Sequence, residues 1–418
     1  MRIRLRGLAV MGMFLACGGP PPPEEQATFT LTDSGGIAVA TSSGPGWTLG
    51  ESWSVDREPL LRVGSQDTDS TNMLFNVVDA AFLSNGGVAI ANRGTSQILI
   101  FDSTGRRIGV RGRDGDGPGE FRSLHAVFAG PGDTLIGVNW QGVSRVVVFS
   151  PEGHLLDTYE LQAPFLFNPG VYRPPRFLGS VTRGRNPVMD PAEGVMRPGQ
   201  STVLAVAPGG DVDTLLRDVS GPEWMAVRAS GTETGWSRTY RAFGLEGMYA
   251  FGPSEVYYSD NGTWEISAYD STGRLRRVMR RAHPRRLVTQ ALRDAWYRHE
   301  YEDRLRGGTN AQRNSFRRNR AVYQEMNYPD SLPAHGRMIA DDLGYLWVEE
   351  YRPLWETVAS EWSVFTPEGA WLGTVVMASR FELYEITEDA LLGRRREEFD
   401  VEVVAIYRLH RGRWKLPA

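Results

Sequence analysis

Short apolar runs, four at a time, recur along most of this chain. Residues 77–112 read VVDAAFLSNGGVAIANRGTSQILIFDSTGRRIGVRG, and residues 124–161 read LHAVFAGPGDTLIGVNWQGVSRVVVFSPEGHLLDTYEL. Each holds four runs of strand length separated by turns, the pattern of an antiparallel meander. The same order returns at 336–377 and at 245–280, where Tyr269-Asp270-Ser271-Thr272-Gly273-Arg274 repeats the turn from Phe101 to Arg106. Residues 176–218 are a weaker copy in which TVLAVAPGGDVDTLLR supplies the last two strands, and residues 381–410 supply three.

Six such units, four clear, one degraded and one incomplete, predict an all-β fold: a six-bladed β-propeller of four-stranded antiparallel blades. An incomplete blade exposes a row of unpaired backbone groups. The segment EPLLRVG at 58–64 precedes the first full unit and has nothing else to pair with. It is therefore predicted to close the ring as the outer strand of the 381–410 blade. The β pattern breaks at about 285–326, where Leu287, Val288, Ala291, Leu292, Ala295 and Trp296 follow helical spacing. Phe316, Val322, Tyr323 and Met326 do the same after Gly307-Gly308, so a small helical hairpin is expected between the fourth and fifth blades. The propeller is expected to occupy 46–418.

The N-terminus, MRIRLRGLAVMGMFLACGGPPPPEEQ, sets three arginines before an apolar run from Gly7 to Ala16, then the only cysteine. Such a head is a secretory signal, too short to span a bilayer as a mature helix. Phe14-Leu15-Ala16-Cys17 resembles the lipobox of bacterial lipoproteins. That resemblance implies a signal peptide over 1–17, a lipid on Cys17 holding the protein to a membrane, and an extracytoplasmic place in the bacterial cell envelope. Residues 18–45 then read as a Pro-rich linker and N-terminal strand region. With one cysteine there is no internal disulfide, so the core must stabilise the domain alone.

Composition changes this picture little. The 418 residues, 41% hydrophobic with a net charge of -4, suffice for a large core and give no reason to expect a nucleic-acid partner. Export also argues against cofactors such as ATP or NADH, and no cofactor is assigned. Residues 274–320 depart from the average, with fifteen arginines against four acids. Such a local field suits an acidic partner, an anionic lipid surface or a polyanionic cell-wall polymer. The plainer reading is a solvated helix pair capping the ring.

The decapeptide GRDGDGPGEF at 112–121 admits three readings: a phosphate cradle, a calcium loop or a seam between units. A phosphate cradle needs a following helix and usually a lysine, and neither is present. Calcium has oxygen ligands in Asp114, Asp116 and Glu120 but lacks the twelve-residue loop. A seam fits best, with Phe121 anchoring the crossover and glycines supplying positive φ. In wording, Gly115 to Phe121 resembles the G-x-G-P-G-x-F junction of the NHL repeat, and Arg145-Val146 and Phe149 extend the likeness. Residues 46–418 are similar to exported six-bladed propeller lipoproteins of that type, although Leu124-His125 stands where a proline usually follows the junction.

For chemistry, aligning units on their second strands puts Asp79, His125 and Glu246 at one equivalent position, nine residues before Val88, Thr134 and Glu255. His335 or Arg337 falls within a residue of it in the next unit. These five are the candidate ligand or metal residues at the channel mouth. A carboxylate, a histidine and a second carboxylate could hold a divalent metal, calcium or zinc, or act as acid and base. Some related six-bladed propellers are lactonases or lyases of that kind, which the resemblance makes the competing function. Channel mouths are polar in any case, so the leading expectation is a lipid-anchored module that binds or scaffolds a protein, peptide or glycan. No G-x-S-x-G elbow or H-E-x-x-H helix is present, and catalytic residues stay unassigned.

Overall fold

The computed structural model describes residues 29–412 apart from 48–49, 65–72, 142, 161–166, 173–175, 182–187, 191–194, 198–200, 207–211, 229–235 and 354. Cys17 and the proline run lie outside the described residues. Strands dominate. Four-stranded antiparallel sheets form at 77–111 (sheet 1), 124–160 (sheet 2), 167–219 (sheet 3), 248–281 (sheet 4) and 335–379 (sheet 5). Sheet 6, at 381–410, has three strands of its own. Side-by-side first strands link sheets 1 and 2, 3 and 4, 4 and 5, 5 and 6, and 6 and 1. Repeated four-stranded antiparallel sheets placed in this way are β-propeller architecture.

The N-terminal segment does meet sheet 6. Leu61–Val63 pairs antiparallel with Glu402–His410, setting Leu61 opposite Ile406 and Val63 opposite Val404. Ser54–Val55 pairs further along the same strand. Val63, Val404, Leu392 and Val77 then share one core cluster, so the segment is packed as well as hydrogen-bonded.

Local chemistry explains the repeats. Val88–Asn92, the second strand of sheet 1, is buried throughout, and its apolar run VAIA is what a strand covered on both faces requires. In the turns, Asp102 Oδ1 accepts from Thr104 N at 3.0 Å, Thr104 Oγ1 at 2.6 Å and Arg106 N at 3.0 Å. Asp270 does the same with Thr272 N at 2.9 Å, its hydroxyl at 2.6 Å and Arg274 N at 3.1 Å. The shared Asp-Ser-Thr-Gly-Arg sequence is one turn used twice.

The decapeptide is a junction. Phe121 has no exposed surface and packs 6.3 Å from Phe149. A Cβ on Gly112 would lie 2.4 Å from the Phe121 ring, and φ there is +75°, so glycine is required twice over. Its acids face arginines: Glu120 meets Arg113 at 2.7 Å, and Arg122 holds Asp116 at 2.5 Å and Asp114 at 3.4 Å.

Two features exceed the simple repeat. Within and after sheet 3, short strands at Val188–Asp190, Val195–Arg197, Trp224–Arg228 and Trp236–Tyr240 make a further four-stranded sheet, so the degraded copy is two interleaved sheets. A hairpin, Phe29–Ser34 and Ile37–Ser42, joins the outer edge of sheet 4, its second strand running parallel to Leu275–Arg281. The helical insertion is present, with helices at Gln290–Tyr297 and Asn310–Arg318. Both start on threonine caps, Thr289 and Thr309. Trp296, Val322, Tyr323 and Met326 turn inward as their spacing predicts and pack with Met225 and Phe243.

Candidate functional site

The candidates do not make a metal centre. Among the described residues, no three or more His, Cys, Asp or Glu side chains gather closely enough to hold a metal ion, so Asp79, His125 and Glu246 do not form such a group.

Asp79 ties two sheets together. It accepts from Ala80 N at 2.9 Å and from Val127 N, on the first strand of sheet 2, at 3.1 Å. Burial pushes its carboxyl up to about 8 against those two donors, with the Glu385 and Glu382 carboxylates adding to the rise. Glu385 repeats the device one sheet earlier: it accepts from Phe82 N at 2.8 Å, and burial raises it to about 7.

His125 lies against Arg93, whose Nη2 donates to Nδ1 at 2.9 Å while its Nε donates to Leu124 O at 2.7 Å. Burial and that guanidinium lower the histidine pKa, which favours the neutral ring. Register irregularities occur next to these positions, at Val78, at His125 and at Tyr384. Bulges re-aim side chains where pairing is interrupted. Tyr384 has a buried hydroxyl without a hydrogen-bond partner among the described residues, and the charges of Glu382, Arg394, Asp79 and Arg337 all act on it. The sequence patterns did not single out Arg93, Glu382, Tyr384, Glu385 or Arg394.

His335 is a core residue. It has no exposed surface; Nδ1 faces Gly336 O at 2.9 Å and Nε2 faces Ser259 Oγ at 2.8 Å. A carbonyl can only accept, so Nδ1 carries the proton and Nε2 accepts from the serine. Burial lowers its pKa to about 4. Both ring nitrogens are committed to the fold.

Glu246 and Arg337, in contrast, share a cavity of about 660 Å³. Helices of the insertion roof it, and the approach to sheet 4 and the loops of sheet 5 form its walls. Tyr240, Phe243, Trp296, Tyr323, Tyr351 and Trp355 supply its aromatic lining. Arg337 also lines a neighbouring hollow of about 530 Å³ with Glu382 and Arg394, towards sheet 6. Burial raises the Glu246 carboxyl above its ordinary value, and its charge contributes, after burial, to raising Tyr240. An apolar cavity with a few convergent polar groups and a perturbed carboxyl is the usual form of a small-molecule site.

No family model matches the sequence, and neither does any curated protein. Solved structures do resemble the fold. A protein described as exported, from Bacteroides fragilis, superposes with a TM-score of 0.50 at 10% identity, over 90% of this chain and 100% of that one. A member of the DUF4221 family from Bacteroides vulgatus gives 0.50 at 10% identity, over 87% and 99%. A gluconolactonase from Xanthomonas campestris gives 0.42 at 12% identity, over 85% and 100%. The first two likenesses extend to the fold alone, and no helix among the described residues is long and apolar enough to cross a membrane.

Proposed function

We propose that this chain is a lipid-anchored, exported six-bladed β-propeller of the NHL type that works as a binding or scaffolding module for a protein, peptide or glycan. In this reading sheets 1 to 6 are the blades, Leu61–Val63 completes the last of them, and the short-stranded sheet within 188–240 stands outside the ring. The observation that carries binding is the roofed cavity of about 660 Å³, within the roughly 300–1,000 Å³ of ligand pockets. The lipobox-like Phe14 to Cys17 supports anchoring. Cys17→Ala is expected to move the protein from the membrane fraction to the soluble one; retention would contradict the anchor.

The competing reading, a hydrolase or lyase, is supported by Glu246, whose raised pKa suits a general acid or base. One experiment separates the two. The full chain is incubated with peptide and glycan panels, and bound material is recovered and weighed by mass spectrometry. Intact ligand supports the module. Cleaved product that disappears with Glu246→Gln establishes the enzyme.

A further inference from the structure

We propose that the cavity beneath the helical insertion takes a ligand bearing an ammonium or guanidinium group, held between the Glu246 carboxylate and the Tyr240 ring. The inference rests on the binding reading above and names the ligand chemistry of that same site.

Every other acid on the cavity wall has a basic partner. Glu223 meets Arg241 at 3.0 Å, Glu300 meets Arg304 at 3.0 Å and Glu350 meets Arg281 at 3.0 Å. Glu349 is shared by Arg337 at 3.3 Å and Arg352 at 3.5 Å. Glu246 is the exception. Among the described residues no group donates to its carboxylate and no arginine pairs with it; its backbone N–H donates to Asn261 Oδ1 at 3.0 Å, which leaves the side chain free. A carboxylate drawn out of water without a partner costs free energy that an incoming cation recovers. A neutral sugar leaves that charge uncompensated, and an anion opposes it.

The second observation is the ring beside it. Tyr240 is 56% exposed and stacks on Trp224 with centroids 4.1 Å apart, which fixes its plane while leaving area open. Glu246 and Tyr240 line the same cavity, and the Glu246 charge acts on the Tyr240 hydroxyl. An accessible aromatic face next to an unpaired carboxylate is the arrangement that receives a cation, by quadrupole attraction on one side and charge on the other. Trp296, Phe243 and Trp355 give an aliphatic stem an apolar surface behind that head.

Calorimetric titration of the full chain with agmatine, cadaverine, glucose and acetate tests this. Agmatine and cadaverine are expected to bind, and glucose and acetate to give no heat. Glu246→Gln should weaken amine binding by about tenfold or more, the worth of a charge-assisted contact. Tyr240→Leu should weaken it several-fold while Tyr240→Phe, which keeps the ring, leaves it unchanged. Because burial raises the Glu246 carboxyl, amine binding measured over a series of acidic pH values should release a proton from it, seen as a buffer-dependent heat that Glu246→Gln abolishes; a purely structural glutamate would show no such heat. Far-UV circular dichroism confirms that each variant is folded. Equal affinity for glucose and agmatine, or a Glu246→Gln variant that binds amines like the wild type, overturns the cation proposal. Amines failing where panel peptides or glycans bind overturns it alone, whereas no binding by any panel member overturns the binding reading too.

Discussion

Replacing Asp79 by asparagine tests how the sheets are tied together. Asp79 sits between sheets 1 and 2, accepting from Ala80 and Val127, and burial moves its carboxyl from 3.8 to about 8. In the folded state it therefore keeps its proton through neutral pH, while in the unfolded chain it ionises near 4. The unfolded state thus sheds a proton that the folded state holds, and stability falls as pH rises from about 4 until the folded group ionises near 8. Within that window the loss approaches about 1.4 kcal/mol per pH unit, or about 2–3 kcal/mol between pH 5 and 7. Glu385, raised to about 7, adds a loss of the same sign beginning near 4.5. Glu382 and Tyr384 face Asp79 from sheet 6, and neither supplies a positive charge to offset it. Asparagine cannot ionise; its single oxygen accepts from only one of Ala80 N and Val127 N, which reach Oδ1 and Oδ2 separately, and the loss of the other contact does not vary with pH. Urea unfolding followed by tryptophan fluorescence at pH 5, 6 and 7 should show wild-type stability declining, and Asp79→Asn declining by about 2–3 kcal/mol less over the same range. Parallel profiles would refute the reasoning.

Other outcomes follow from the packing. Phe121→Ala empties the fully buried seam between sheets 1 and 2 and should cost about 3–5 kcal/mol, read as a lower urea midpoint. Arg281 lies 3.6 Å from the Trp264 ring centroid and 4.2 Å from that of Trp371, while its guanidinium pairs with Glu350 at 3.0 Å. Arg281→Ala leaves that carboxylate only the Ser363 hydroxyl and should cost about 2–4 kcal/mol, a loss that calorimetric melting would detect.

Much of the architecture was legible in the chain because one turn chemistry and one apolar rhythm are repeated. Asp102 and Asp270 build the same turn from the same five residues, and Leu61–Val63 could be matched to Glu402–His410 because an open strand edge demands a partner. The sheet within 188–240 was not legible, since two of its strands have three residues and its partners are separated by parts of sheet 3. Nor was the docking of Ile37–Ser42 on sheet 4, a parallel pairing across more than two hundred positions that leaves no local trace. The candidate site was half visible. Counting back from second strands assumes a common register, and the bulges break it: Asp79 became a tie between sheets and His335 a core residue. Glu246 and Arg337 do line one cavity, but its roof comes from Trp296 and Tyr323, whose helical spacing marked them as inward-facing and not as lining a cavity.

The proposed closure of the ring is open to direct measurement. Arg62 and Ala405 are opposite one another where the N-terminal strand meets the last strand of sheet 6. Across an antiparallel pair their Cα atoms are within disulfide reach, about 4.5–5.5 Å. Paired cysteines at 62 and 405, in a background with Cys17 replaced by alanine, should form one intramolecular disulfide under mild oxidation. The product would be a faster-migrating monomer on a non-reducing gel, with a raised melting temperature. Free thiols that persist under oxidation, or cross-linked dimers in place of the monomer, would mean that the beginning of the chain does not fasten to its end.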